Sequence, residues 1–188
     1  EKGRVWLAME LVEGQTLRAW ARTNPPGTRA QRDAALELLR QAAAGLGAAH
    51  AAAMTHRDFK PANVLIGDDG RVRVVDFGLA RSVLDPRGEP VEDHLRNVSD
   101  ASVGSSEQTV TRPGAVVGTP RYMAPEQHRG EICTARTDLF GFAVTAWELL
   151  HGETPFDASS MDSLYNAIVS RRFSRRRADA VPRWMNEY

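Results

Sequence analysis

Two short β-type runs, "NVLI" (63–66) and "RVRVVDF" (71–77), flank "GDDG" (67–70). An Asp-Gly turn between two such runs specifies an antiparallel hairpin. A hairpin returns its two outer ends to one place. Asn63 stands at one outer end and Asp76 at the other, thirteen residues on. Asp58 lies five residues before Asn63, with Lys60 between them. Two carboxylates, an amide carbonyl and an ammonium can therefore converge at one end of the hairpin. Hard oxygen donors of this kind suit Mg²⁺, which keeps several waters and takes one or two carboxylates plus substrate phosphates. A carboxylate base, a pair of oxygen ligands and a cation are what phosphoryl transfer requires, because positioning and charge neutralisation dominate its catalysis.

The rest of the chain reads as mainly helical. Residues 4–12, "RVWLAMELV", form a β-type run that stops at Glu13-Gly14. "TLRAWART" is a short helix closed by "NPPG", because prolines and a glycine cannot continue it. Residues 30–53 read as one long helix with a buried stripe of Leu36, Leu39, Ala43, Leu46 and His50. "TDLFGFAVTAWELLHG" predicts an apolar helix buried on most sides and stopped by Gly152. "SMDSLYNAIVSRR" predicts a last amphipathic helix. Residues 82–117 lack periodicity and are rich in Ser, Pro, Gly, Asp and Glu, which predicts a long mobile loop.

The length, 188 residues, suffices for one domain with its own core. Basic and acidic residues balance at 24 each, so charge gives no argument for nucleic acid or a membrane. "RRFSRRR" (171–177) reads as a solvated stretch rather than a nucleic-acid patch. No apolar run approaches the roughly 18–20 residues that span a bilayer. Cys133, the single cysteine, fits a reducing, cytoplasmic setting and reads as a half-buried apolar residue. The opening "EKGRVW" has no signal-peptide pattern and reads as the middle of a protein, and "VPRWMNEY" reads as an unfinished end.

Taken singly, Asp58, Asn63 and Asp76 read as turn-capping residues. The order of motifs decides otherwise. "HRDFKPAN" resembles the catalytic loop of protein kinases and "DFG" their metal-binding turn. "GTPRYMAPE" (118–126) resembles the segment that closes their activation loop, and "TDLFGFAVTAWELLHGETPF" the central helix of their C-lobe. "AMELVEGQTL" is similar to their hinge. The wording is that of bacterial eukaryotic-like Ser/Thr kinases. The resemblance implies an α+β fold, a mainly helical C-lobe with a small β-hairpin and most of the N-lobe absent. Residues 1–15 would be the last N-lobe strand and the hinge, and residues 16–188 an incomplete C-lobe.

The resemblance also implies roles. Asp58 would orient or accept the substrate hydroxyl proton, and Lys60 would steady the γ-phosphate of ATP. Asn63 and Asp76 would hold Mg²⁺. Met9 takes the gatekeeper place, Glu10 and Val12 would bond adenine through their backbone, and Leu65 would lie under the base. Thr119 would sit near Asp58 and Lys60 on the substrate side. Arg57 marks kinases controlled by activation-loop phosphorylation, with Thr111 and then Thr109 as the phosphate acceptors. Autophosphorylation and dimerisation belong to the same expectation, and Lys60 two residues after Asp58 favours Ser/Thr over Tyr substrates. His56 is expected to pack and hydrogen-bond, Glu126 to be a structural ion-pair partner, and Asp138 to cap the catalytic-loop backbone.

No glycine-rich loop, strand lysine or helix glutamate of the phosphate clamp is found in the sequence. The segment from Asp76 to Glu126 exceeds the usual family length, and no arginine is assignable as partner to Glu126. The alternative reading is therefore a truncated kinase that serves as a binding or regulatory module. A small-molecule kinase of the aminoglycoside type is disfavoured by "GTPRYMAPE" and by Lys60.

Overall fold

The computed structural model describes residues 9–77, 119–156 and 160–173. Three strands come early: β1 (Gly14–Thr16), β2 (Val64–Gly67) and β3 (Val72–Val74). They form one antiparallel sheet in the order β1-β2-β3. The hairpin is β2 and β3, with Val64 opposite Val74 and Ile66 opposite Val72. Its turn closes through Gly67 and Gly70, as the Asp-Gly signal predicts. The strand expected over residues 4–12 differs. Residues 9–13 are not strand, and β1 begins where that run was expected to stop. Apolar residues promote a strand only where a partner edge exists, and the available edge is β2, which meets β1.

Among the described residues there are five helices: α1 (Leu17–Thr23), α2 (Arg29–Ala51), α3 (Pro125–His128), α4 (Ala135–His151) and α5 (Met161–Val169). Their starts follow from local chemistry. Thr16, Thr28, Thr134 and Ser160 each accept a backbone N–H from the first turn of the helix that follows. Gly152 ends α4 in the left-handed conformation at φ 79°.

The buried face of α2 is Ala35, Leu39, Ala42, Leu46 and Ala49. This corrects the expected stripe. Leu39 and Leu46 belong to it, but Leu36 is 44% exposed, Ala43 is exposed, and His50 is half-buried. Alanines at the contact let α2 lie close to β3, where Gly45 faces Val74. The helix packs through its small side chains, so the larger Leu36 turns outward.

One core joins Leu17, Leu39, Leu46, Phe59, Val64 and Leu149; a second joins Val144, Phe156, Leu164, Ala167 and Ile168. Helix α4 contributes to both. Burying an aromatic or aliphatic side chain contributes about 1.5–3 kcal/mol. Phe59 thus anchors the polar stretch 56–63 to the first core. Residues 4–8, the loop 82–117 with Thr109 and Thr111, and the arginines beyond residue 173 lie outside the described residues. No helix among the described residues is long and apolar enough to cross a membrane.

Candidate active site

The stretch "HRDFKPAN" makes an irregular turn between α2 and β2, and its backbone is fixed from three sides. Asp138, 1% exposed, rises into it from the first turn of α4. Its Oδ2 accepts the His56 N–H at 2.7 Å and its Oδ1 accepts the Arg57 N–H at 2.7 Å. His50, on α2, bonds the same Oδ2 through Nε2 at 2.8 Å. Capping of the loop backbone by Asp138 was expected; the part of His50 was not.

His56 is fully buried. Its Nδ1 accepts the Asp58 N–H at 3.2 Å, so the proton sits on Nε2, which donates to the Val75 carbonyl at 2.9 Å. His56 therefore ties the loop to the strand end that precedes Asp76. The Val75 N–H donates to the Asn63 carbonyl at 3.0 Å, which closes the same gap from the other side. Gln127 supplies the third tie. Its Oε1 accepts the Ala124 N–H and its Nε2 donates to the Arg57 carbonyl at 2.7 Å. Sequence reasoning gave Gln127 no role. The available signal was a lone amide directly after "APE", which specifies no partner.

These ties bring three polar side chains together. Lys60 Nζ donates to Asp58 Oδ2 at 2.6 Å. Asn63 Nδ2 donates to the Asp58 carbonyl at 2.9 Å and to Asp58 Oδ2 at 3.1 Å. Asp58 is thus held at one carboxylate oxygen by two donors. With Nδ2 so directed, the Oδ1 of Asn63 is the end that a cation could take. Asp76 is exposed and adopts φ 61°, a left-handed conformation uncommon outside glycine. Arg57 has φ 70° as well. Its Nε is buried without a hydrogen-bond partner among the described residues.

The remaining predicted residues are dispersed along the sheet and the segment before it. Leu65 pairs with Thr16 and Arg73, on the sheet face opposite Val64 and Ile66, which pack on the core. Met9 is 67% exposed. Glu10 lies 3.6 Å from Arg73 Nη2, and Val12 is half-buried. Thr119 opens a short 3-10 turn, Thr119–Tyr122, that packs against α4. Glu126 accepts the Thr137 hydroxyl at 2.7 Å, and the expected ion-pair partner is not found among the described residues. Among the described residues, no three His, Cys, Asp or Glu side chains cluster closely enough to hold a metal by themselves.

Comparison with known proteins agrees with this arrangement. A family model described as a protein kinase domain matches residues 1–187. The chain is 35% identical over 184 residues to serine/threonine-protein kinase PknL of Mycobacterium tuberculosis, covering 97% of this chain and 40% of PknL. It is 33% identical over 177 residues to serine/threonine-protein kinase PknB of the same organism, covering 94% of this chain and 24% of PknB. It is 34% identical over 180 residues to PknB of Mycolicibacterium smegmatis, covering 94% and 25%. The chain spans less than half the length of these curated relatives. With α4 holding the "HRDFKPAN" turn and the hairpin behind it, the chain belongs to the protein kinase domain family.

Proposed function

We propose that this chain carries the catalytic loop of a serine/threonine protein kinase, transferring the γ-phosphoryl group of ATP to Ser or Thr hydroxyls of protein substrates. The observation that carries this reading is the joint restraint of Asp58 by Lys60 and Asn63. Both donors hold Oδ2, and Oδ1 is the oxygen offered to a substrate hydroxyl. Asp58 orients that hydroxyl and accepts its proton as the phosphoryl group transfers. Lys60 steadies the γ-phosphate.

Asn63 Oδ1 and the Asp76 carboxylate fit Mg²⁺, whose other ligands are water and phosphate oxygens. The ion, when bound, neutralises phosphate charge. Residues 1–15 serve as the last N-lobe strand and hinge and residues 16–188 as C-lobe. Glu10 and Val12 meet adenine through their backbone, Met9 acts as gatekeeper, and Leu65 lies beneath the base. The orientation of Leu65 away from the core supports that placement. Thr119 contributes on the substrate side. Arg57 serves regulation: its buried guanidinium Nε, without a hydrogen-bond partner among the described residues, suits a phosphate on Thr111 or Thr109. A cytoplasmic setting goes with this reading.

The test is transfer of labelled phosphate from ATP and Mg²⁺ to a Thr-containing peptide with uncharged flanks. The chain should label the peptide, and Asp58→Asn should lower the rate by at least about 10²-fold. No transfer by the unaltered chain would overturn the proposal and leave the binding-module reading.

A further inference from the structure

Residues 9–13, which lead into the sheet, are not strand, so ladder pairing does not fix where they lie. Two contacts hold them to the hairpin instead. The Asp68 N–H donates to the Glu13 carbonyl at 2.9 Å. The Arg73 guanidinium reaches Glu10, with Nη2 3.6 Å from its carboxylate. Just beyond, Gly14 lies so close to the Ile66 carbonyl that no side chain would fit there, which pins the far end of the segment at β1.

Arg73 is itself held for this reach. Its Nη1 and Nη2 donate to the two carboxylate oxygens of Asp69 at 3.0 and 2.9 Å. Such a fork fixes the guanidinium plane as well as its place. Asp69 is steadied in turn, because its Oδ1 accepts the Arg71 N–H at 3.0 Å. The fork lies across Gly67, where a Cβ would collide with Asp69 Oδ1 and Arg73 Nη1. The Arg73 side chain is 26% exposed and that of Glu10 73%, so the arginine is the anchored partner and Glu10 the one it holds. Arg73 also stands opposite Leu65 in the β2–β3 register, and directly paired residues share a sheet face. One side chain thus reaches the hinge segment and flanks the residue assigned to the floor beneath adenine.

We propose that Arg73 is a positioning residue for the nucleotide: it holds Glu10, and with it the backbone that meets adenine, in fixed relation to Leu65. The proposal rests on the kinase reading above. A hinge segment that drifts from the floor loses contact with the base before and during transfer alike. Such a loss of uniform binding raises KM for ATP and leaves kcat unchanged. The Arg73–Glu10 pair is solvated, so its effect is modest and weakens with salt.

The test titrates a fluorescent ATP analogue with Mg²⁺ into the unaltered chain, R73Q, E10Q and R73Q/E10Q. Labelled-peptide phosphorylation gives kcat and KM for ATP in parallel. R73Q and E10Q should each weaken nucleotide binding about three- to fivefold. The double variant should lose no more than R73Q alone, as a double-mutant cycle requires of one shared interaction. Maximal rates should stay within about twofold of the unaltered chain. Unchanged affinity in R73Q or E10Q, additive losses in the double variant, or a fall in kcat with affinity kept would overturn the proposal. An unaltered chain that binds no nucleotide would overturn the kinase reading and this proposal together. Nucleotide binding that ignores both substitutions would overturn this proposal alone.

Discussion

Removing the Asp138 carboxylate would strand the backbone N–H groups of His56 and Arg57 in the interior. Each stranded buried donor costs roughly 1–3 kcal/mol. Truncating His50 removes one partner of Asp138 and leaves both backbone bonds in place. Asp138→Ala should therefore lower stability by about 2–6 kcal/mol, and His50→Ala by about 1 kcal/mol, measured by urea unfolding. Equal losses would show that the carboxylate does not organise the loop. Gln127 offers a subtler probe. Gln127→Glu turns the donor facing the Arg57 carbonyl into an acceptor. Arg57 occupies a backbone conformation that costs of order 1–3 kcal/mol, so it depends on such ties. Peptide phosphorylation by Gln127→Glu should fall in kcat at least about tenfold, with the KM for ATP little changed. That Asp58, Lys60 and Asn63 lie together was legible from their spacing, while the roles expected of them came only from the order of motifs around them. Gln127 and His50 were not legible, because one amide or imidazole has many uses and only the fold supplies the partner.

At the scale of elements, α4 comes close to the backbone of the stretch 56–63 at Gly141. A Cβ there would sit 2.7 Å from the Phe59 carbonyl oxygen, a backbone atom with no easy retreat. Helix propensity alone makes Gly141→Ala favourable by about 1 kcal/mol. Overpacking costs typically 1–3 kcal/mol and acts directly on the loop. The substitution should thus destabilise the fold on balance and depress phosphoryl transfer. Thermal melting and the labelled-peptide rate would show it, and a stabilised, fully active Gly141→Ala would refute the contact. Helix α2 allows a comparison of two leucines three residues apart. Leu39→Ala should cost about 2–5 kcal/mol because Leu39 lies in the core. Leu36→Ala should cost under about 1 kcal/mol because its side chain is largely in water. The existence of α2 was plain from its period, but its phase was not. Apolar residues occur all round it, and a rule that favours the largest side chains misreads a helix that packs through alanine. The hairpin carried no such ambiguity, since an Asp-Gly turn fixes its register. β1 escaped detection because three exposed or half-buried polar residues become a strand only when β2 lies beside them.

Across the whole molecule, α4 links the two cores, and the histidines at its margins bear on how the fold responds to acid. His151 is buried at the end of α4, its ring stacked on Trp147 at 4.0 Å between centroids. His128 ends α3 and packs on Tyr165 of α5, with Nε2 buried and without a hydrogen-bond partner among the described residues. Burial lowers both imidazoles below their ordinary value of 6.5. Glu153 opposes the shift at His151, and backbone bonds to Met123 and Pro120 oppose it at His128. In the unfolded chain both groups take up protons in the ordinary imidazole range, and in the folded chain they do so only at lower pH. The unfolded state therefore binds more protons as pH falls through that range, and stability falls with it. The melting temperature should be steady above about pH 7 and decline between about pH 6.5 and 5. His128→Gln/His151→Gln should melt at a lower temperature at neutral pH, because stacking and packing are lost, yet show a flatter profile over the same interval. A profile as steep as that of the unaltered chain would place the acid sensitivity elsewhere than at the junction of α3, α4 and α5.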